Sequence, residues 1–114
     1  MTLSKELVAA STIPLVLSLL AHDDSYGYAL IKRIRELSGE RIAWSDGMLY
    51  PVLRRLESQG LIASYWNKAP SGRRRRYYRI EKPGRQELDR LIEQWSLVST
   101  VFTRLQKESP PCSN

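Results

Sequence analysis

"DGMLYPVLRRLESQGLI", Asp46 to Ile62, starts in one periodicity and ends in another. Leu49, Val52, Leu53 and Leu56 recur at helical spacing, so one face of a helix must turn towards a core. Ser45 or Asp46 supplies the cap, and Gln59-Gly60 marks the end. Tyr50, Pro51, Arg54 and Gly47 fall on the opposite side, with Arg55 at the flank. Pro51 lies past the first turn, so its missing amide costs the helix something. After Gly60 the period drops to two: Ile62, Ser64 and Trp66 share one face of a strand, and Leu61, Ala63 and Tyr65 share the other.

The strand runs into Asn67-Lys68-Ala69-Pro70-Ser71-Gly72, which is turn chemistry. A second strand, Arg74 to Glu81, returns with Tyr78 and Ile80 on a common face. The pair is a hairpin whose tip carries Gly72, Arg73, Arg74, Arg75 and Arg76. Four consecutive arginines repel one another, and an extended chain sends two to each side. Such a tip suits a polyanion, with Tyr78 and Ile80 anchoring the strand from within.

Working towards the N-terminus, Tyr26 to Ser38 reads as a helix with Leu30, Ile31, Ile34 and Leu37 inward. Ser25 is its expected cap, and Gly39 takes the left-handed position after it. His22-Asp23-Asp24 is a polar turn. Ser4 to Ala21 reads as a first helix with Leu7, Ala10, Pro14, Leu17 and Leu20 along its apolar face. Pro14 should kink it, or break it at a cap from Ser11 or Thr12. Leu3, Leu7 and Ala10, ahead of Pro14, are then free to pack on a partner.

Towards the C-terminus, Lys82 to Lys107 reads as one long helix with Pro83 in its first turn. Leu88, Leu91, Trp95, Val98, Phe102 and Leu105 are spaced three and four apart in alternation, a heptad seam. At about 1.5 Å per residue the helix reaches roughly 40 Å, longer than a small domain covers. Burying each seam residue contributes about 1.5–3 kcal/mol, which makes the seam a dimer interface together with Leu7.

The 114 residues suit one domain, and an apolar share of 42% allows a core. A net charge of +6 points to an anionic partner. Cys112, the only cysteine, cannot form an internal disulfide or a cysteine metal site, which fits a reducing cytoplasm. The apolar run Ile13 to Ala21 is too short to span a bilayer. His22 is the only histidine and reads as a solvated turn residue. No catalytic triad, phosphate loop or metal-ligand spacing appears, so neither an enzyme nor a cofactor is expected.

Three helices, a basic hairpin and a long helix make an α+β fold, mostly α: a winged helix-turn-helix with a long C-terminal dimerisation helix. The expected division is a DNA-binding unit over 1–81, a dimerisation helix over 82–108 and a flexible tail over 109–114. The helix at Asp46–Gln59 is the one that enters a DNA groove. Tyr50, Arg54 and Arg55 are its candidates for base edges and phosphates, while the wing arginines follow the backbone. Trp95, mid-seam, would meet its symmetry mate across a gap and form a slot for a planar aromatic or cationic compound, lined also by Val98 and Phe102. The alternative is a winged-helix module for RNA or protein contacts without small-molecule sensing; Tyr65 and Tyr77 are the aromatics that single-stranded RNA would use.

"LVLSLLAHDDSYGYALIKRI" (Leu15 to Ile34), "DGMLYPVLRRLESQGLI" and "GRRRRYYRI" (Gly72 to Ile80) together resemble the PadR family of transcriptional regulators, in its smaller subclass with a single C-terminal helix. The resemblance implies a homodimeric, DNA-binding repressor released by a small aromatic or cationic compound. By position it maps Tyr50, Pro51 and Arg54 to the recognition surface and Gly72 to Arg76 to the wing. Tyr28 falls on the bracing helix and reads as structural. The family's serine or threonine cap before the last helix is replaced here by Glu81-Lys82-Pro83, so the start of that helix is open.

Overall fold

A computed structural model describes residues 2–108; the expected flexible tail and Cys112 lie outside the described residues. The elements run α1 (Lys5–His22), β1 (Ser25–Tyr26), α2 (Gly27–Leu37), α3 (Asp46–Ser58), β2 (Ile62–Lys68), β3 (Arg74–Ile80) and α4 (Lys82–Lys107). The three strands form one antiparallel sheet in the order β1-β3-β2. This is the winged helix-turn-helix, mostly helical, with the long C-terminal helix in place.

Helix α1 runs unbroken through Pro14. The Ser11 and Thr12 hydroxyls do not cap a second segment; both donate back to the Val8 carbonyl, Thr12 at 2.7 Å. Ala10, whose carbonyl loses its partner to the proline, is exposed, so that carbonyl is open to solvent. Ser4 caps the helix by accepting from the Leu7 amide. The buried face differs from the expected one. Thr12, Val16, Leu17 and Leu20 face the core, whereas Leu7 is 42% exposed. Thr12 tolerates burial because its hydroxyl is already bonded.

Ser25 does not cap α2. It pairs with Tyr78, and Tyr26 with Tyr77, so both residues are strand, and α2 starts at Gly27 without a side-chain cap. The edge that β3 offers satisfies their backbone instead. Leu30 and Ile34 are buried as expected, but Leu37 is exposed in the last turn. Gly39 takes φ +60°, the left-handed position expected of it, and Glu40 follows at +65°. That double reversal turns the chain so that Ile42 and Trp44, in a segment without regular structure, enter the core beside Leu49, Leu53 and Leu56.

α4 begins at Lys82, with Glu81 before it making no side-chain cap bond and Pro83 in the first turn. A Cβ at position 84 would collide with the Leu61 carbonyl, so Gly84 permits α4 to start against the turn into β2. Leu88 is 7% exposed and belongs to this chain's own core, which leaves little of it for a dimer seam; Leu91 is half-buried. Beyond them α4 leaves the domain. The molecule measures 63 × 30 × 21 Å with a radius of gyration of 17.1 Å, against about 13 Å for a compact chain of this length.

Candidate nucleic-acid interface

Helix α3 is capped by Ser45, whose hydroxyl accepts from the Met48 amide. Leu49, Leu53 and Leu56 bury its inner face completely, which fixes the outer one. Pro51, Arg54 and Arg55 are exposed there. Tyr50 is not: it is half-buried, and its ring lies where a side chain at position 27 would be, so a Cβ on Gly27 would strike the hydroxyl. Tyr50 therefore pins α3 to the first turn of α2. Arg55 departs in the other direction, towards a groove shared with Lys5 and Arg41. Tyr28, read as structural, is 59% exposed on α2.

The wing tip closes through two backbone bonds of 2.8 Å, from the Gly72 amide to the Ala69 carbonyl and from the Ala69 amide to the Arg73 carbonyl. Gly72 has φ +87°, which a side chain would make costly. Arg73 is exposed in this turn, so three arginines of the run lie in the strand. Arg74 and Arg76 face one side, with Arg74 over the Trp66 ring at 5.2 Å. Arg75 faces the other, half-buried over Tyr26 at 5.3 Å. Tyr50, Arg54, Glu57, Ser58, Arg76 and Tyr78 line one cleft of about 500 Å³ between α3 and the sheet. Burial pushes the Tyr78 phenol up from its ordinary pKa. Glu57 completes the lining of that cleft although its immediate sequence neighbours mark no site. Its position seven after Tyr50 and three after Arg54, on the same stripe, is the signal that marks it.

The outer face of the sheet is aromatic. Tyr77 stacks on Tyr65 with centroids 5.7 Å apart and meets Tyr26 edge-on at 5.1 Å. Arg79 lies over Tyr65 at 5.8 Å. The Tyr65 hydroxyl donates to Asp24 Oδ2 at 2.5 Å, tying β2 to the turn after α1. That bond is the main reason its pKa is pushed up to about 12. These rings cover one another, so the platform expected for single-stranded RNA is already filled.

The profile of the transcriptional regulator PadR-like family matches residues 16–90. The chain belongs to the PadR-like family of transcriptional regulators. Its fold is similar to that of a transcriptional regulator from Clostridium thermocellum, at 33% identity and a TM-score of 0.80, covering 90% of this chain and 97% of the other. A PadR family regulator from Eggerthella lenta is 38% identical with a TM-score of 0.72, covering 91% and 88%. The Escherichia coli transcriptional regulator YqjI is 45% identical over 47 residues, 41% of this chain and 23% of that one. PadR-like proteins are regulators that bind DNA rather than enzymes, in keeping with what the residues offered. His22 is exposed at the end of α1, and no cluster of three potential metal ligands occurs among the described residues.

The PadR-like chain separates the residues expected at a ligand slot. Trp95 lines an apolar groove of about 500 Å³ between α1 and α4, with Leu3, Leu7, Pro14 and Ile92. Val98 and Phe102 do not line it. They are exposed further along α4, as are Val101 and Leu105. α1 itself is long and apolar enough by composition to cross a membrane, but Val16, Leu17 and Leu20 belong to the core.

Proposed function

We propose that this PadR-like regulator is a cytoplasmic homodimer that binds operator duplex and represses until a planar aromatic or cationic compound is bound. The observation that carries the DNA mode is the cleft shared by Arg54 of α3 and Arg76 of the wing. Arg54 is placed to reach a base edge or phosphate, and Arg73, Arg74 and Arg76 to follow the backbone. Pro51, Tyr50 and Gly72 shape that surface, and Arg55, on the other flank of α3, would reach phosphate outside the cleft. Residues 1–81 act as the DNA-binding unit and 82–108 as the dimerisation helix. Trp95, Val98, Phe102 and Leu105 leave an apolar stripe on α4 that a second copy would cover, helped by Leu7 and Leu91. Two-fold pairing also sets two recognition helices against half-sites one turn apart. Trp95 is the residue best placed for the ligand.

Titration with the duplex upstream of the protein's own gene, at several salt concentrations, tests the reading. The expected result is a two-to-one complex with a steep loss of affinity as salt rises, released by a planar aromatic that quenches Trp95. A monomer with no duplex binding at low salt would overturn it. The RNA reading is not favoured, because the tyrosines it needs are stacked on each other.

A further inference from the structure

One residue in the α3–wing cleft has the wrong charge for a polyanion. Glu57 stands on the same helical stripe as Tyr50 and Arg54, facing the surface that the proposed duplex would occupy. Its carboxylate is engaged with the wing. Arg76 Nη2 donates to Ser64 Oγ at 2.8 Å, and the Ser64 hydroxyl donates to Glu57 Oε2 at 2.5 Å. The same guanidinium nitrogen lies 3.4 Å from Glu57 Oε1. Arg76 is thus held by a serine and a carboxylate against α3. Arg74, two residues earlier on the same face, stacks on Trp66 and makes no ion pair among the described residues.

The Arg76 and Glu57 side chains are 48% and 32% exposed. An ion pair this open to water contributes little to folding stability. It is also open to exchange, since a phosphate oxygen can replace the carboxylate without unpacking the core. The exchange leaves Glu57 unpaired inside the negative field of the nucleic acid, and that cost falls on every duplex whatever its sequence.

We propose that Glu57 is a positioning residue that withholds Arg76 from phosphate, so that the wing takes up this contact only by giving up its bond to α3. The proposal rests on the duplex-binding reading above. Its physical consequence is lower background affinity for DNA in general. A freed carboxylate takes up a cation as Arg76 releases one from the duplex, so the wild-type protein shows a shallower salt dependence than its arginine count implies.

The test is a set of four proteins: wild type, Glu57→Gln, Arg76→Gln and the double variant. Each is titrated with one random-sequence duplex across a salt series, with melting temperatures measured alongside. Glu57→Gln should bind several-fold more tightly at low salt, with a log–log salt slope steeper by about 0.9, the value of one added phosphate contact. Both gains should vanish when Arg76 is already glutamine. Ser64→Ala, which removes one arm of the cradle and no charge, should give part of the same gain. Weaker binding by Glu57→Gln would overturn the proposal, because Glu57 would then be presenting Arg76 to DNA. An undiminished gain in the Arg76→Gln background would also overturn it, leaving only a general field effect. If the wild-type protein bound no duplex at low salt, the DNA reading itself would fall, a result distinct from either.

Discussion

The two faces of the wing hold arginines in opposite ways. On the face towards α3, Arg76 is held by Ser64 and Glu57 and Arg74 by the Trp66 ring, all near water. On the outer face, Arg75 and Arg79 flank a ladder of Tyr26, Tyr77 and Tyr65 that ends in the Asp24 hydrogen bond. The inner face holds its arginines near water, Arg76 by polar bonds that a phosphate can replace and Arg74 by an exposed ring. The outer face uses packed rings that nothing needs to replace. One β-hairpin thus separates rigidity from exchange by the period of a strand: alternate residues do different work.

Removing the central ring should break the contrast most severely. Tyr77→Ala takes away both aromatic pairs and most of the packing that holds β1 on the sheet, and should cost about 2–3 kcal/mol of folding stability, read by urea unfolding. Duplex affinity of the fraction still folded should change much less. Replacing Arg74 and Arg76 together by alanine should do the reverse. Stability should stay within about 0.5 kcal/mol of wild type, while affinity falls on all duplexes and the salt slope flattens by about 0.9, from the lost Arg74 contact, since cation uptake by Glu57 offsets the Arg76 contact in the wild type. If this pair instead lowered stability by as much as Tyr77→Ala, the division between the faces would not exist.

The smallest effect sharpens the outer face alone. Tyr65→Phe keeps the ring and removes the bond to Asp24, for about 0.5 kcal/mol at neutral pH. The Tyr65 phenol is pushed up from 10.0 to about 12 in the folded protein. Below pH 10 both the folded and unfolded forms keep the proton. Between the two values the unfolded chain has lost it and the folded one retains it, so this group's contribution to stability falls as pH rises through that window. Unfolding curves at high pH should show that part of the decline in the wild type and not in Tyr65→Phe.

Much of the fold is legible because its signals are local. Ser45 caps α3, Gly39 occupies its left-handed position, Gly72 lies in the turn of the hairpin, and the last helix spans Lys82–Lys107, all from contacts within a few positions. The paired arginines at Arg74 and Arg76 follow from strand alternation. The site was harder to read. Tyr50 falls on the outer stripe by helical arithmetic, yet Gly27, 23 positions away in sequence, gives its ring a place to lie. Leu88 fits a heptad seam, yet the domain reaches far enough along α4 to bury it. Glu57 looks like a solvated acid until β2 and β3 bring Ser64 and Arg76 to it.

Composition, caps and periodicity in these 114 residues settled the helices, the basic hairpin and the long final rod, because such features depend on neighbours three or four positions apart. Only the tertiary structure decided that Ser25–Tyr26 is a strand, that Ile42 and Trp44 are core, and which wing arginine meets a carboxylate. Those outcomes need a surface built elsewhere in the chain, such as a free sheet edge, a pocket between helices or a facing side chain. No local pattern encodes a partner that only folding brings within reach.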